Sequence, residues 1–557
     1  MASNSIRTLL LRLSIVVATV QHQLYCGAFS VSAPRSSCLT SKHQHGANNR
    51  SPPARASSLS ARHRYSTDPP QFARYSSTDW TLAGFSPGSG WSNRFEGELG
   101  ATRGVSSKRG RASQQLLLSM TAGGVATRAK SIDGPAGSRS VSWPLWYVLP
   151  IAPYQRRKTL MEEVVPGKVW TFDQLQGVLY VIVPVRMTVI KLENSAGGGL
   201  FVYAPVAPTG ECLAMMRKLE AEHGPVRHIV LGTLGLEHKV FAGPFSQRFP
   251  QAQVWLTPGQ YSFPVGLPLS WLGFGTRSTK EIPASAEDCP WADDLDHAVL
   301  GPFFSKDGSG GYGETAFFHK DTKTLLVTDM VVKVDGEVPD IVAEDPRPLL
   351  FHARDNALEK VEDTEEVRLK GWRRIVQFAL TFQPSSIVVV DLKQALSDAA
   401  DSKMKELGWG GLFPFEWTSP SGDLKSFTAL QGGLLVAPIL QVLLLNRDPD
   451  PVLDWADRVA KWPFRRVIPC HLANDVATTP QEFRKAFRFL EKGGRGGGGS
   501  MGGGLLSLFN GGRAAAGGGG AQPLDADLQF LRDAEKTLVD VGTLFPAAEP
   551  VDRSSRR

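Results

Sequence analysis

The sequence predicts an α/β fold, and three stretches of the chain support this prediction. Residues 226–258 contain an apolar strand, a Gly-rich loop, a short helix and a second strand, the unit from which α/β folds build sites at strand ends. Residues 169–192 are rich in Val and Ile, which favour β-sheet. Residues 313–334 place two apolar runs on either side of a polar turn at residues 320–323, a pattern typical of a β-hairpin.

The remaining periodicity extends this order of elements. Further strands are predicted over residues 197–205, 297–304 and 465–470, with a short buried strand over 386–391. Helices are predicted over residues 209–223, 239–249, 372–382, 451–462, 481–490 and 525–544. The body therefore begins as a meander of strands followed by a strand–helix–strand unit, and residues 346–465 are largely helical.

The first 138 residues differ in composition from the rest. An apolar run at residues 8–20 follows Arg7, has the length of a signal-peptide core and is too short to span a bilayer. Residues 29–67 are Ser/Arg-rich and acid-free, as transit peptides are. We expect a signal peptide at 1–28, a transit peptide at 29–67 and a disordered linker at 68–138.

This bipartite leader also predicts a compartment. Phe29 directly follows the small residues at the expected cleavage point, which resembles the import signal of algae with secondary plastids. We therefore expect the protein in the plastid stroma. A plain secretory signal and a mitochondrial presequence are the alternatives.

The formal net charge of +7 originates in the leader. Residues 1–67 contain eight Lys/Arg and no acidic residue, residues 68–130 add about +4, and the remainder carries about −5. The body is therefore not basic, and nucleic acid is not an expected partner. A small-molecule substrate or a plastid protein is the expected partner.

The body itself is interrupted once. We expect one domain at 139–492, a Gly-rich disordered insertion at 493–520, a C-terminal helix at 521–546 packing on the domain, and a frayed tail at 547–557. The longest apolar run after the leader, residues 434–445, contains Pro438 and is too short to cross a bilayer. The five cysteines form no CxxC or disulfide framework, which fits a reducing compartment.

Side chains that can bind metal ions follow three predicted strands. Glu237 and His238 follow the strand in residues 226–231, Asp329 follows the second hairpin strand, and His471 follows the strand in residues 465–470. Because the carboxyl ends of parallel strands gather at one edge of a sheet, these residues are expected to converge. A His/carboxylate set suits Zn²⁺, Mn²⁺ or Fe, and such an ion makes hydrolysis possible near neutral pH.

The order of these residues resembles the metallo-β-lactamase superfamily. Its pattern H-x-H-x-D-H falls on residues 233–238, its next ligand histidine on Glu314, its bridging aspartate on Asp329 and its last histidine on His471. The resemblance implies an αββα sandwich of mixed sheets flanked by helices. It also implies metal ligation by Glu237, His238, Asp329 and His471, with Glu314 as a further candidate ligand.

The chain departs from this pattern at the first metal position. Thr233, Gly235 and Glu314 stand where the superfamily has histidines, whereas the second position keeps His238, Asp329 and His471, with Glu237 for aspartate. The resemblance therefore implies a degenerate motif with a mononuclear site.

A closer similarity covers roughly residues 143–492 and 521–546. The segments 164–192, LLFHARD at 349–355 and PCHLAND at 469–475 resemble a domain-of-unknown-function family of plants, algae and bacteria, a divergent branch of the same superfamily. The family carries no activity over to this chain.

Each candidate residue also has a structural interpretation. Glu237 and His238 could cap the helix at 239–249, Asp329 could cap the turn after its strand, and His471 could be a strand-end histidine held by hydrogen bonds. Cys470 is expected to be a buried, inert thiol and Lys239 to be solvated. A further group of candidate residues either lines a pocket or forms a salt-bridged loop. This group consists of His352, Arg354 and Asp355.

Two classes of function stay open. The first is a plastid hydrolase of an ester, thioester or amide bond with one Zn, Mn or Fe ion, in which Asp329 and His238 are the catalytic residues and Asp329 orients the attacking water. The second is a non-catalytic binding or scaffold module without a metal, which uses aromatic segments such as 143–146 and 413–417. The fold alone does not separate these two classes.

Overall fold

The computed structural model describes residues 138–139, 152–153, 156–178, 180–260, 269–274, 279–306, 310–419, 421–493 and 521–553. The predicted signal peptide and transit peptide lie outside these residues, as do nearly all of the predicted linker and of the Gly-rich insertion. None of the helices in the described part of the chain is both long and apolar enough to cross a bilayer.

Seven strands form the first sheet, which follows a two-stranded pair of β1 (Ser138–Arg139) and β2 (Arg156–Arg157). In spatial order the sheet contains β3 (Leu160–Val165), β4 (Val169–Val178), β5 (Val181–Leu192), β6 (Gly199–Tyr203), β7 (Val226–Leu231), β8 (Gln253–Leu256) and β9 (Thr279–Glu281). Strands β3 to β6 pair antiparallel, and β6 to β9 pair parallel. The Val/Ile-rich stretch is thus the long hairpin β4–β5.

Five strands form the second sheet, in the order β10 (Leu295–Phe304), β11 (Gly311–His319), β12 (Thr324–Val327), β17 (Arg466–Pro469) and β18 (Val476–Ala477). The predicted hairpin is present as β11 and β12. Strand β17 then pairs parallel with β12, although 138 residues separate their nearest ends. This long-range pairing places the chain that follows β12 beside the chain that follows β17.

The side-chain alternation of the strands separates three cores. In β6, Leu200 and Val202 contact one core while Phe201 and Tyr203 contact another, because successive side chains of a strand point to opposite faces. The core that contains Phe201 and Tyr203 lies between the two sheets, since it also contains residues of the second sheet. These are Phe317, Leu326 and Ile468. The sheets therefore pack face to face.

Helices cover the two outer faces. α1 (Gly210–His223), whose N-cap Thr209 accepts a hydrogen bond from Cys212 N, and α2 (Leu236–Ser246) pack on the first sheet. The other helices follow the second hairpin: α3 (Asp340–Ala343), α4 (Arg347–Ala353), α5 (Glu365–Thr381), α6 (Leu392–Asp401), α7 (Gly422–Leu430), α8 (Pro438–Leu443), α9 (Pro449–Val459), α10 (Pro480–Lys485) and α11 (Gln529–Asp540). Apart from α6, these helices supply residues to the core on the outer face of the second sheet. The described residues thus form the four layers of an αββα sandwich.

Short elements join these layers. Two further two-stranded pairs are β13 (Val332–Lys333) with β16 (Leu434–Leu435), and β14 (Ile387–Val389) with β15 (Phe415–Trp417). Single 3-10 turns lie at Leu269–Leu272, Lys405–Leu407, Trp409–Gly411, Leu445–Arg447, Arg488–Leu490 and Asp525–Leu528.

Three local predictions were wrong in detail. The strand predicted as buried at 386–391 is β14, in which Val388 and Val389 are exposed because β15 covers it along one edge only. The helix predicted at 481–490 ends at Lys485 and resumes as a 3-10 turn. The tail does not fray over residues 547–553, because Val551 bridges Glu491 and Arg553 pairs with Asp450, Asp454 and Asp457.

Candidate metal centre

The loop after β7 carries Glu237 and His238 and connects the first sheet to the second. Backbone hydrogen bonds from Leu234 N to Gly313 O (3.0 Å) and from Thr315 N to Gly232 O (2.7 Å) join this loop to β11. Helix α2 begins three residues earlier than predicted, with Gly235 as N-cap and no side-chain capping bond. Glu237 and His238 therefore lie in the first helical turn, and neither of them caps the helix.

Asp329 and His471 approach each other from two adjacent parallel strands. Because β12 and β17 pair with Val327 opposite Pro469, the residues two positions beyond each strand lie side by side. His471 Nε2 lies 3.2 Å from Asp329 Oδ1, and His238 Nε2 lies 3.6 Å from the same oxygen. The carboxylate of Asp329 is thus placed between the two imidazoles.

These residues form one compact group. One ligand atom from each of Glu237, His238, Asp329 and His471 lies within 4.8 Å of all the others. His238 is fully buried, Glu237 and Asp329 are about 95% buried, and His471 is the most accessible, at 17% exposure of its side chain. The cluster is therefore an enclosed polar site whose open side lies at His471.

The orientation of His471 is set by a backbone carbonyl. Its Nδ1 lies 2.8 Å from the carbonyl oxygen of Pro184 on β5. Since a carbonyl only accepts, Nδ1 carries the proton and donates it, which leaves Nε2 facing Asp329. Histidines that bind metals are commonly oriented by such a bond from their other ring nitrogen. His471 is therefore a strand-end histidine held at Nδ1 by Pro184 O, and its Nε2 faces Asp329.

The electrostatics follow from burial and from the central carboxylate. Burial would raise the pKa of Asp329, but the two imidazoles together lower it well below its usual value. Burial lowers the pKa of His238 despite Asp329. Burial also acts to lower the pKa of His471, but the bond to Asp329, the charges of Asp329 and Glu237 and the Pro184 carbonyl together raise it. In the metal-free protein at neutral pH, Asp329 is therefore ionised and His238 is neutral.

Glu314 does not join the cluster, which corrects its prediction as a ligand. Its Oε1 accepts from Thr328 N (2.8 Å), and its Oε2 accepts from Asp329 N (2.9 Å), Met330 N (2.9 Å) and the Tyr312 hydroxyl (3.0 Å). Burial, followed by the charge of Asp329, raises the pKa of Glu314 to about 7. Because these donors take up its oxygens, Glu314 fixes the turn that presents Asp329 instead of facing the site.

The two other altered positions are structural as well. Thr233 is buried, pairs in a β-bridge with Glu314, and accepts a hydrogen bond from Gly235 N at 3.0 Å. A Cβ at Gly235 would lie 3.2 Å from Glu237 Oε1, so a larger side chain there would press on the Glu237 carboxylate. Neither position supplies a ligand atom, and the cluster offers room for one ion.

Two neighbours of the cluster, Lys239 and Cys470, also had predicted environments, and the structure contradicts the first and agrees with the second. Lys239, expected to be solvated, is fully buried, and burial lowers its pKa to about 7 although the charge of Glu237 acts in the opposite direction. Cys470 is a buried free thiol, as expected. Burial and the nearby carboxylates raise its pKa well above the usual value, which fits an inert thiol.

The residues of the FHARD segment are not part of the cluster: His352 lies in the last turn of α4, Arg354 and Asp355 follow it, and Asp355 alone of the three forms salt bridges with other described residues. His352 Nε2 lies 3.1 Å from Tyr180 O, and Arg354 stacks on the rings of Phe351 and Phe413. Asp355 Oδ1 lies 2.5 Å from Arg374 Nη2 and 2.9 Å from Lys370 Nζ.

Sequence reasoning missed Arg186 on β5, whose guanidinium contacts the loop that carries His471. The available signal was a single arginine inside the apolar strand VIVPVRMTVIKL, because charged residues are seldom fully buried unless they are paired.

The cluster fits a metal ion by its donor set and by its unsatisfied atoms. Two imidazoles and two carboxylates suit Zn²⁺, Mn²⁺ or Fe. Among the described residues, neither ring nitrogen of His238 nor Oδ2 of Asp329 has a hydrogen-bond partner, whereas buried polar atoms are normally satisfied. A cation bound between these residues would satisfy them.

The αββα sandwich and the His/carboxylate cluster at its strand ends define a metallo-β-lactamase-like domain with a degenerate metal motif. Residues 166–489 match the family described as Domain of unknown function (DUF4336), and the chain belongs to this family. No curated protein matches the sequence.

Solved structures with a similar fold include two kinds of metalloprotein. The chain is similar to a metallo-beta-lactamase from Pontibacter korlensis, with 13% identity and a TM-score of 0.23 over 34% of this chain and 80% of that one. It is also similar to the metal-soaked Flv1 flavodiiron core from Synechocystis sp. PCC6803, with 9% identity and a TM-score of 0.29 over 60% of each chain. With scores this low, the assignment of the four layers depends on the strand pairings described above.

Proposed function

We propose that Glu237, His238, Asp329 and His471 bind one divalent metal ion, and that the protein hydrolyses an ester, thioester or amide bond. The observation that carries the proposal is the convergence of four ligand atoms within 4.8 Å in a buried site. These residues come from three separate strand ends, and their approach is not explained by packing of apolar side chains. Ionised and polar groups are costly to bury unless they are paired or bind a metal.

The residues would have the following roles in metal binding and hydrolysis. When bound, a Zn, Mn or Fe ion supplies Lewis acidity, which polarises a carbonyl oxygen of the substrate. His238 and His471 bind through ring nitrogens, the second through Nε2 because its Nδ1 is held by Pro184. Asp329 stays ionised at neutral pH, and its Oδ2, which has no hydrogen-bond partner in the described part of the chain, is available to orient the attacking water.

A second candidate function is a binding or scaffold module without a metal. The state of Glu314 favours it, because this residue is fully engaged by backbone N–H groups and closes one ligand position. In that case the contact between His471 Nε2 and Asp329 Oδ1 holds the ends of β17 and β12 together in the metal-free protein. The composition of the leader alone supports our further proposal that the protein is imported into a plastid.

Metal content of the purified full chain tests the proposal. We expect about one equivalent of Zn, Mn or Fe in the wild type and its loss in His238→Ala and His471→Ala. His223→Ala is the matched control, because His223 is a half-buried histidine at the end of α1 and outside the cluster. The loaded wild type would then be assayed with ester, thioester and amide substrates.

A folded wild type that takes up no metal on incubation with Zn²⁺, Mn²⁺ or Fe²⁺ would exclude the metal site and leave the scaffold function. A wild type that binds one equivalent but hydrolyses none of the three substrate types would keep the metal and remove the hydrolase. Metal loss in His223→Ala to the same extent as in the cluster variants would show that the loss reflects unfolding.

A further inference from the structure

Arg186 is a fully buried arginine in the middle of β5, directly opposite Asp173 on β4. Its Nε lies 2.7 Å from Asp173 Oδ1, and its Nη2 donates to Asp173 Oδ2 at 2.8 Å. The guanidinium thus lies against both oxygens of the carboxylate and forms one hydrogen bond to it, through Nη2. This ion pair compensates the buried charge of Arg186.

The remaining donors of Arg186 are directed at the segment that carries His471. Its side chain donates to the carbonyl oxygens of Pro469 (2.8 Å), Leu472 (3.2 Å) and Ala473 (3.2 Å), and its backbone N–H donates to Cys470 O (2.8 Å). One residue therefore holds the carbonyls on both sides of His471.

The backbone of this segment needs such support. Leu472, directly after His471, has φ of 58°, and Asp475 has φ of 44°. Residues other than Gly adopt the left-handed region at a cost in conformational energy, and they keep it where surrounding contacts hold it. Arg186 donates to Leu472 O and Ala473 O, directly at and after the first of these residues.

The same strand also orients the ring. Pro184, two residues before Arg186, supplies the carbonyl that accepts the Nδ1 proton of His471. A strand thus fixes both the backbone and the imidazole of this ligand from one side. A shift of the loop by a fraction of an ångström would move Nε2 relative to Asp329 Oδ1 and His238.

We propose that Arg186 is a positioning residue for His471: by binding the carbonyls of Pro469, Leu472 and Ala473, it holds Nε2 of His471 in the geometry required for metal binding. This inference deepens the proposed metal site and rests on it for the effect on metal affinity. The effect on the orientation of His471 does not require a metal.

Arg186→Lys tests the proposal, because a lysine keeps the charge but cannot form the planar fork. The matched control is Arg374→Lys. Arg374 is equally buried, binds the carbonyls of His352, Ala353 and Arg354, and pairs with Asp355, all outside the cluster. Asp173→Asn is a milder second variant, which weakens the partner of Arg186 and decides the question should Arg186→Lys fail to fold.

Two readouts on the full chain separate positioning from general stability. The first is the dissociation constant for Co²⁺ by chelator competition, together with the visible spectrum of the bound ion. The second is the Nδ1–H signal of His471 in the metal-free protein labelled with ¹⁵N-histidine, assigned by its absence in His471→Ala. We expect Arg186→Lys to weaken Co²⁺ binding about 10- to 100-fold, as loss of outer partners of metal-binding histidines does, to change the spectrum and to lose the Nδ1–H signal.

Asp173→Asn should show the same changes to a smaller extent, and Arg374→Lys should show neither. Wild-type affinity and an intact Nδ1–H signal in Arg186→Lys, or in Asp173→Asn where the former is unfolded, would overturn the proposal. Equal loss in Arg374→Lys would also overturn it, because the effect would then be one of stability. If the wild type binds no Co²⁺ but the Nδ1–H signal depends on Arg186, positioning stands and the metal function fails.

Discussion

Two regions of the molecule contain the same residue types and use them differently. In the cluster, His238, Asp329 and His471 direct their nitrogen and oxygen atoms at one another within a few ångströms. In the FHARD segment, the polar atoms of His352, Arg354 and Asp355 are directed away from one another. They face Tyr180 O, two aromatic rings and Arg374, respectively. Each region also contains one fully buried arginine that binds three carbonyl groups, Arg186 or Arg374.

The two regions differ in whether their carboxylates face cationic side chains or one another's neighbours in a shared site. The carboxylate of the FHARD segment is neutralised by two side chains of α5, Arg374 and Lys370. The cluster gathers two carboxylates and two imidazoles, and its neighbour Lys239 is a buried amine whose pKa is lowered to about 7 by burial. Burial of a carboxylate is tolerated where a cation faces it. The cluster is therefore suited to bind a cation, whereas the carboxylate of the FHARD segment already has its cationic partners.

The largest expected difference is between Asp329→Asn and Asp355→Asn. Loss of the charge between the two imidazoles should weaken metal binding by more than about 100-fold, the upper end of what loss of an outer partner costs. Asp355→Asn should leave metal affinity unchanged and lower the free energy of unfolding by about 1–3 kcal/mol, because Asp355 is only partly buried. Chelator competition and urea unfolding measure both effects. Equal metal affinities in the two variants would contradict the contrast between the regions.

A second pair of variants compares Glu314, which supports the Asp329 turn, with Glu359, which accepts from Asp355 N. Glu314→Ala leaves three buried N–H groups without an acceptor and should lower the free energy of unfolding of the metal-free protein by about 3 kcal/mol or more. Glu314→Gln keeps one oxygen and should fall between Ala and the wild type in stability and metal affinity. Glu359→Gln, at the partly exposed carboxylate that accepts from Asp355 N, should change stability by less than about 1 kcal/mol. Full metal affinity in Glu314→Ala would show that the Asp329 turn needs no such support.

The two regions should respond to pH with opposite sign. Burial lowers the pKa of His352 to about 3. As pH falls, this histidine is therefore protonated in the unfolded chain before it is protonated in the folded protein, and the free energy of unfolding decreases below about pH 6.5. The pKa of His471 is raised by Asp329, so its contribution is present below about pH 6.5 and is lost as pH rises through the folded value.

In the metal-free protein, His471→Gln should therefore cost more stability at pH 6 than at pH 8, and His352→Gln should cost less at pH 6 than at pH 8. The limiting slope for one proton is about 1.4 kcal/mol per pH unit. Urea unfolding at both pH values in EDTA measures these differences. A cost of His471→Gln that does not change with pH would mean that His471 and Asp329 are not paired in solution.

The smallest expected effect belongs to Arg354→Lys. Arg354 lies 4.6 Å from the centre of the Phe413 ring and 4.9 Å from that of Phe351. A lysine retains the charge but loses the stacked plane, which should lower the free energy of unfolding by about 0.5–2 kcal/mol. Metal affinity should stay at the wild-type value. Thermal unfolding and metal titration of the same preparation check both statements.

Much of the sandwich was predictable because it is encoded locally. The Val/Ile-rich residues 169–192 predicted strands, the apolar runs on either side of the turn at 320–323 predicted the hairpin β11–β12, and the helix predicted at 209–223 is α1 within one residue. The buried strand predicted at 386–391 was wrong because an apolar run does not show how many of its sides a neighbour will cover. The pairing of β12 with β17 was not predicted, since no local pattern selects a partner so distant in the chain.

The sequence by itself determined the order of the main strands and helices and the strand-end positions of Glu237, His238, Asp329 and His471. The tertiary structure decided which of their atoms face one another and which candidates have their lone pairs occupied, as Glu314 does. Periodicity records which face of an element is apolar, because that depends on neighbours along the chain. Hydrogen-bond satisfaction depends on atoms brought together by folding, as between His471 and Pro184, 287 residues apart.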